Sequence, residues 1–159
     1  MFAVLRFSTL KSLGAIGLLL LATQTYAAEP TPQPAARSAA NTLNQGKKWD
    51  TDAATRQAME TIRQAMQASQ SGIDKDQFTA QDYQRLAELI DQTVATMMKT
   101  RTLSKEAAKA FHLVVMVDLS QNLNLMLTGR SVALQRTGAL GTQQSLRNYG
   151  VYFQHPGWL

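Results

Sequence analysis

The sequence predicts an all-α protein: an antiparallel up-down-up-down four-helix bundle that follows a signal peptide and a disordered leader. Three observations carry this. Apolar residues recur at three- and four-residue spacing in successive stretches, the mark of helices with one buried face. No stretch of any length alternates with the period of two that a strand requires. The connections are short, which favours antiparallel neighbours.

The beginning of the chain sets the expected compartment. Arg6 and Lys11 precede an uncharged run over residues 12–25, centred on four leucines, Leu18, Leu19, Leu20 and Leu21. Small residues follow at Thr25 and Ala27, the layout of a secretory signal peptide over residues 1–27. Cleavage is expected after Ala27, with Ala28 as the alternative. The run is shorter than the ~20 apolar residues of a spanning helix. The expectation is therefore a periplasmic protein with no stable membrane insertion after cleavage. The chain has no cysteine, which excludes a lipoprotein anchor, disulfides, thiolate metal sites and thioether-linked haem. The formal charge of +5 becomes +3 on removal of Arg6 and Lys11. No basic run exceeds Lys47-Lys48, so nucleic-acid binding is not expected.

Residues 28–48 hold Pro30, Pro32 and Pro34 among Ala, Ser, Asn and Gln, a composition that reads as a disordered leader. The bundle is assigned to residues 49–159, with order beginning at Trp49. The first helix is expected over residues 52–69, capped by Asp50 or Asp52 and ended by Ser71-Gly72. Met59, Ile62 and Met66 form its inner stripe. The second opens at Thr79, with Asp82 completing a capping-box arrangement, and runs to about Thr100. Its inner face is Tyr83, Leu86, Ile90, Val94 and Met97. The third follows Ser104, is the most apolar, and ends at Gly129; Phe111, Val115, Leu119 and Met126 define its buried centre.

Residues 130–141 are ambiguous, because Gly138 and Gly141 interrupt a helical pattern. A final helix is clear from Thr142, with Leu146, Tyr149 and Phe153 on one face. Gly150 beside them fits close helix approach, since glycine there is ~1 kcal/mol less favourable than alanine. Pro156 is expected to stop the helix.

This topology gathers chemistry. The start of helix one, the end of helix two, the start of helix three and the end of helix four share one end of the bundle. Met59, Met97, Met98, His112 and His155 are expected there, together with Trp49 and Trp158. On a helical wheel His112 falls ~40° from the apolar centre of helix three, hence inward. Imidazole and thioether donors suit Cu(I), or the iron of a haem. The candidate metal ligands are Met59, His112 and His155. The structural alternative is that the methionines fill the core, His155 caps helix four, and Trp158 folds back on Trp49. Asp118 and Asn122 are expected towards the inner face of helix three, forming a polar network or pairing with Arg101 or Arg147. No nucleophile–base pair or hydrolase spacing is found, and no enzymatic activity is expected.

Two families share some of these features. Leu103, Glu106-Ala107, His112, Gly129 and the closing Tyr149 or Tyr152, Phe153 and His155-Pro156-Gly157-Trp158 resemble small exported proteobacterial proteins labelled DnrO-like. That likeness implies a periplasmic four-helix fold and no particular activity. Met59 and His155 also occupy places similar to the haem ligands of soluble periplasmic b-type cytochromes. There the histidine lies within a continuing helix, whereas Pro156 follows this one. The readings are a small binding protein holding a soft metal ion, copper first; a non-catalytic structural or partner-binding protein; and a haem-binding electron carrier.

Overall fold

The computed structural model describes residues 43–158. The expected signal peptide, and the expected leader as far as residue 42, lie outside the described residues. Within them the protein is an all-α four-helix bundle: α1 (Ala53–Asp74), α2 (Ala80–Thr100), α3 (Lys105–Thr128) and α4 (Val132–Tyr152). Each helix starts at a side-chain cap that meets a backbone N–H otherwise left without a partner. Asp52 accepts from the Thr55 amide at 2.7 Å, Ser104 from Ala107 and Ser131 from Leu134. Thr79 and Asp82 cap each other reciprocally. Caps of this kind contribute ~1 kcal/mol each.

Order begins before Trp49. Residues 44–47 form a tight turn in which Gln45 and Gly46 both have positive φ, 50° and 82°, closed by hydrogen bonds of 2.7 and 2.9 Å between Asn44 and Lys47.

α1 continues past its expected end, to Asp74. Gly72 does not terminate it. A Cβ on Gly72 would stand 2.3 Å from the ring of Phe78, so the missing side chain is what lets the α1–α2 loop lie against the helix. Phe78 then meets Tyr83 edge-on at 5.3 Å. The chain breaks instead at Lys75 and Asp76, the latter with φ of 53°.

α3 is not a uniform α-helix. Residues His112–Met116 form a π turn between the α-helical segments Lys105–Phe111 and Val117–Thr128. The reason is legible in the core positions. Ala107, Phe111, Val115, Leu119 and Leu123 are all buried and recur every fourth residue. In a straight α-helix that stripe would drift by ~160° over its length at 100° per residue. One additional residue per turn takes back ~100°, which keeps the stripe on one face. The same insertion puts Phe111 in line with Val115 and turns His112 outward. His112 is exposed, not inward as a uniform wheel requires. Met116 is buried and Met98 is 43% exposed, so Met98 does not join the core.

α3 is the one helix among the described residues long and apolar enough to cross a membrane, with a mean hydropathy of 1.2 over its best window. Its apolar stripe is already covered here: Phe111, Val115, Leu119 and Met126 are fully buried in the bundle core.

α4 is continuous from Val132, ten residues ahead of the expected Thr142. The glycines that break the sequence pattern are its contact surface with α3. A Cβ on Gly138 would stand 2.5 Å from the carbonyl oxygen of Asn122, and one on Gly141 2.2 Å from Asn122 Oδ1. Ala139, Thr142 and Ser145 continue the small, buried face. Close helix approach, rather than chain breaking, accounts for these residues.

Candidate functional site

The chain after α4 closes one end of the bundle. Phe153 leaves the helix in an extended conformation, with φ −122° and ψ 141°, and pairs in parallel with Trp49. The Trp49 amide donates to Tyr152 O, and the Gln154 amide donates to Trp49 O, both at 2.8 Å. Lys48 Nζ donates to Gly150 O at 2.6 Å, and Thr51 Oγ1 donates to Gln154 O. The N-terminal approach to α1 and the exit from α4 are thereby tied together. Asp52 adds the α2–α3 loop, accepting from the amide and hydroxyl of Thr102.

Pro156 and Gly157 then form a corner. The Trp158 amide donates to His155 O at 3.1 Å, and Gly157 has φ of 78°. Proline followed by a residue of positive φ is the signature of a type II turn. The helix has already ended at Tyr152, so Pro156 works as a corner residue, not a helix stop. Trp158 returns onto Tyr149 and His155, with ring centroids 4.7 and 4.9 Å away. Tyr149 also stacks on Phe153 at 5.5 Å and meets Phe111 edge-on at 6.2 Å. Outside, the Arg63 guanidinium lies 5.5 Å from the Trp158 ring centroid, held by two bonds of 2.9 and 2.7 Å to Glu60. Trp158 is 7% exposed.

One polar contact lies inside this aromatic cluster. Tyr149 Oη is 3.0 Å from His155 Nδ1. Burial pushes the Tyr149 phenol up to about 12, despite the Thr51 hydroxyl beside it. Burial also lowers the pKa of His155, with Arg56 and Arg63 acting in the same direction against Glu60. Both groups are thus favoured in their neutral forms. The neutral pair shares one hydrogen bond between the phenol oxygen and Nδ1. The Glu60 carboxyl is held below its usual range, chiefly by the hydrogen bonds from Arg63.

The three expected metal ligands fall in different environments. Met59 is fully buried in the hydrophobic core. His155 is half-buried, its Nδ1 engaged by Tyr149. His112 is exposed beside Phe111 and makes no side-chain hydrogen bond or ring contact with another described residue. No group of three or more His, Asp or Glu side chains placed to hold a metal ion occurs among the described residues. Arg63, Glu60 and Thr51 belong to the closure and were not singled out by sequence. Their only signal was the i,i+3 spacing of Glu60 and Arg63.

A second feature lies on the outer face between α1 and α2. An open groove of about 360 Å³ runs from Ala54 and Thr100 towards Thr61 and Leu89. Its floor is Ala58 and Met97, and no charged residue lines it. Four threonines line it, and each donates its hydroxyl proton to its own helix four residues back. Thr61 reaches Gln57 O at 3.0 Å, Thr93 reaches Leu89 O at 2.8 Å, Thr96 reaches Gln92 O at 2.9 Å and Thr100 reaches Thr96 O at 3.1 Å. The threonine hydroxyl protons are thereby engaged within the helices, and the walls mix apolar and polar surface, with Leu89 47% exposed at the far end and Gln57 and Gln92 supplying amides. Comparison with described protein families, with characterised proteins and with solved structures returned no significant match.

Proposed function

We propose that the protein is an exported, periplasmic, non-catalytic binding protein that receives a protein partner in the α1–α2 groove. The observation that supports this is the groove's lining: uncharged, methyl-rich, and edged by two glutamine amides. Two antiparallel helices with small residues along their shared outer face offer the trough into which a third helix packs its ridge of side chains. The partner presents an uncharged apolar stripe, because a charge placed there would lose water without gaining a counter-charge. The closure built on Tyr149, His155 and Trp158 acts as a structural lock, held by ring packing and by the contact between Tyr149 Oη and His155 Nδ1.

A photoreactive amino acid in place of Thr93, in the full chain expressed in its native host, tests this reading. It is expected to give one discrete cross-linked protein, absent when the same residue replaces the exposed Asn124 on α3. Equal yields from both positions would refute the groove as the binding surface. Copper binding through Met59, His112 and His155, and haem binding through Met59 and His155, are separated by titration and absorbance. Stoichiometric Cu(I) uptake lost in Met59→Leu and His155→Ala, or a Soret band in the isolated protein, would replace the partner-binding reading.

A further inference from the structure

On the opposite side of the bundle, α3 and α4 leave a smaller cleft of about 220 Å³, lined by Asp118, Gln121, Asn122, Gly141, Gln144 and Ser145. It lies away from the groove and from the closed end, and every residue that lines it except Gly141 carries a polar side chain. Asp118 and Asn122 are half-buried. Neither side chain makes a hydrogen bond or ion pair with another described residue, and neither is among the buried unpartnered groups, so both are open to a ligand from solvent. Arg101 and Arg147, the expected partners, pair with neither. Arg147 is exposed and donates both Nε and Nη2 to Gln144 Oε1, at 3.0 and 2.7 Å.

Gly141 makes the space. Oδ1, Cγ and Nδ2 of Asn122 lie 2.2, 2.5 and 2.7 Å from where a Cβ on Gly141 would stand. The carboxamide therefore rests flat over the glycine, as one wall of the cleft. Ser145 donates to Gly141 O at 3.3 Å, and Gln144 Nε2 donates to Asn148 Oδ1 at 2.9 Å. Those two residues are committed to their own helix. The free capacity of the cleft is one carboxylate, from Asp118, and two carboxamides, from Gln121 and Asn122.

We propose that this cleft binds a small organic ammonium ion that also carries a hydroxyl or amide group. The unpaired Asp118 carboxylate receives the ammonium, and the carboxamides of Gln121 and Asn122 exchange hydrogen bonds with the polar substituent. One carboxylate is too little for calcium, which gathers six to eight oxygen ligands, several of them charged. A cleft of this volume is below the ~300 Å³ at which drug-sized ligands begin, so the ligand has few heavy atoms. Arg147 at the rim opposes a cation only through solvent, where screening is strong. This site is independent of the α1–α2 groove, and either can fail without the other.

Ethanolamine is the probe, titrated into the ¹⁵N-labelled full chain and followed by amide chemical shifts. Shifts confined to residues 118–122 and 141–145, saturating at roughly millimolar concentration, are expected. Asp118→Asn should weaken them at least about tenfold while leaving the remaining spectrum in place, a loss of ~1.4 kcal/mol. Gly141→Ala should abolish them by displacing Asn122. Ethylene glycol, which keeps the hydroxyl and lacks the charge, should produce no saturable shift. No localised shift with ethanolamine, an equal response to ethylene glycol, an unchanged response in Asp118→Asn, or a stronger response to calcium chloride would each overturn the assignment.

Discussion

Replacing Gly138 by alanine tests the account of how α3 and α4 pack. On an isolated helix the change is favourable by ~1 kcal/mol, because alanine loses less backbone entropy than glycine. In the bundle the new methyl group would stand 2.5 Å from the carbonyl oxygen of Asn122, 2.9 Å from Met126 Cγ and 3.0 Å from Leu125 Cβ. A carbon–oxygen contact settles at ~3.3–3.6 Å, so the helices must part by nearly an ångström. The nearest atom belongs to backbone in mid-helix and cannot rotate away. Overpacking costs about 1–3 kcal/mol, and a clash with immovable backbone falls in the upper half of that range, so the net destabilisation is ~1–2 kcal/mol after the helix gain. Gly141→Ala is the matched control. The atoms nearest its methyl group all belong to the half-buried side chain of Asn122, which can rotate where backbone cannot. The two effects there are expected to cancel to within ~1 kcal/mol. Urea unfolding of both variants, followed by far-ultraviolet circular dichroism, measures the difference. A Gly138→Ala variant as stable as the parent would mean that these helices do not meet through glycine.

Three further outcomes follow from the closed end. His155 has a lowered pKa in the folded state, so the native protein binds fewer protons than the unfolded chain just below neutrality. Its contribution is present above pH ~6.5, the unfolded value, and is lost as pH falls through the folded value. The urea midpoint should therefore decline as pH falls below about 6.5, and His155→Gln should flatten that decline. A slope unchanged in the variant would assign it to other groups. Trp158→Ala removes a residue that is 7% exposed and should destabilise by about 3 kcal/mol, the lower end for a buried aromatic. A loss under ~1 kcal/mol would show that the turn at Pro156 and Gly157 does not hold the segment down. His112→Ala should change stability by no more than ~0.5 kcal/mol, as at ordinary surface positions. A loss of several kcal/mol would restore the inward orientation that a uniform helical wheel implies.

How much was legible in the sequence depended on the range of the interaction. The caps at Thr79, Ser104 and Gly129 came out as read, because each involves groups within one helical turn. So did the inner stripes of α1 and α2, and the gathering of Trp49, Tyr149, His155 and Trp158 at one end, which follows from helix order alone. The misreadings share a cause. Gly72, Gly138 and Gly141 look like breaks until Phe78 and Asn122 are seen against them. Trp158 meets Tyr149 and His155, with Arg63 over its face, contacts that helix order does not specify. The recurrence of buried residues every fourth position in α3 was present in the sequence as a signal for a π turn. A wheel drawn at 100° per residue averages that signal away.

By itself, then, the sequence determined the helical class, the number and order of the helices and which end of the bundle collects the aromatic and histidine side chains. Periodicity and capping are local, and connection length leaves one economical topology. The tertiary structure decided where His112 points, which glycines are contacts and which space stays open beside Asp118 or along the threonines of α1 and α2. Those properties belong to pairs of helices: a side chain's exposure depends on the surface packed against it, and no residue's own neighbours in the chain specify that surface.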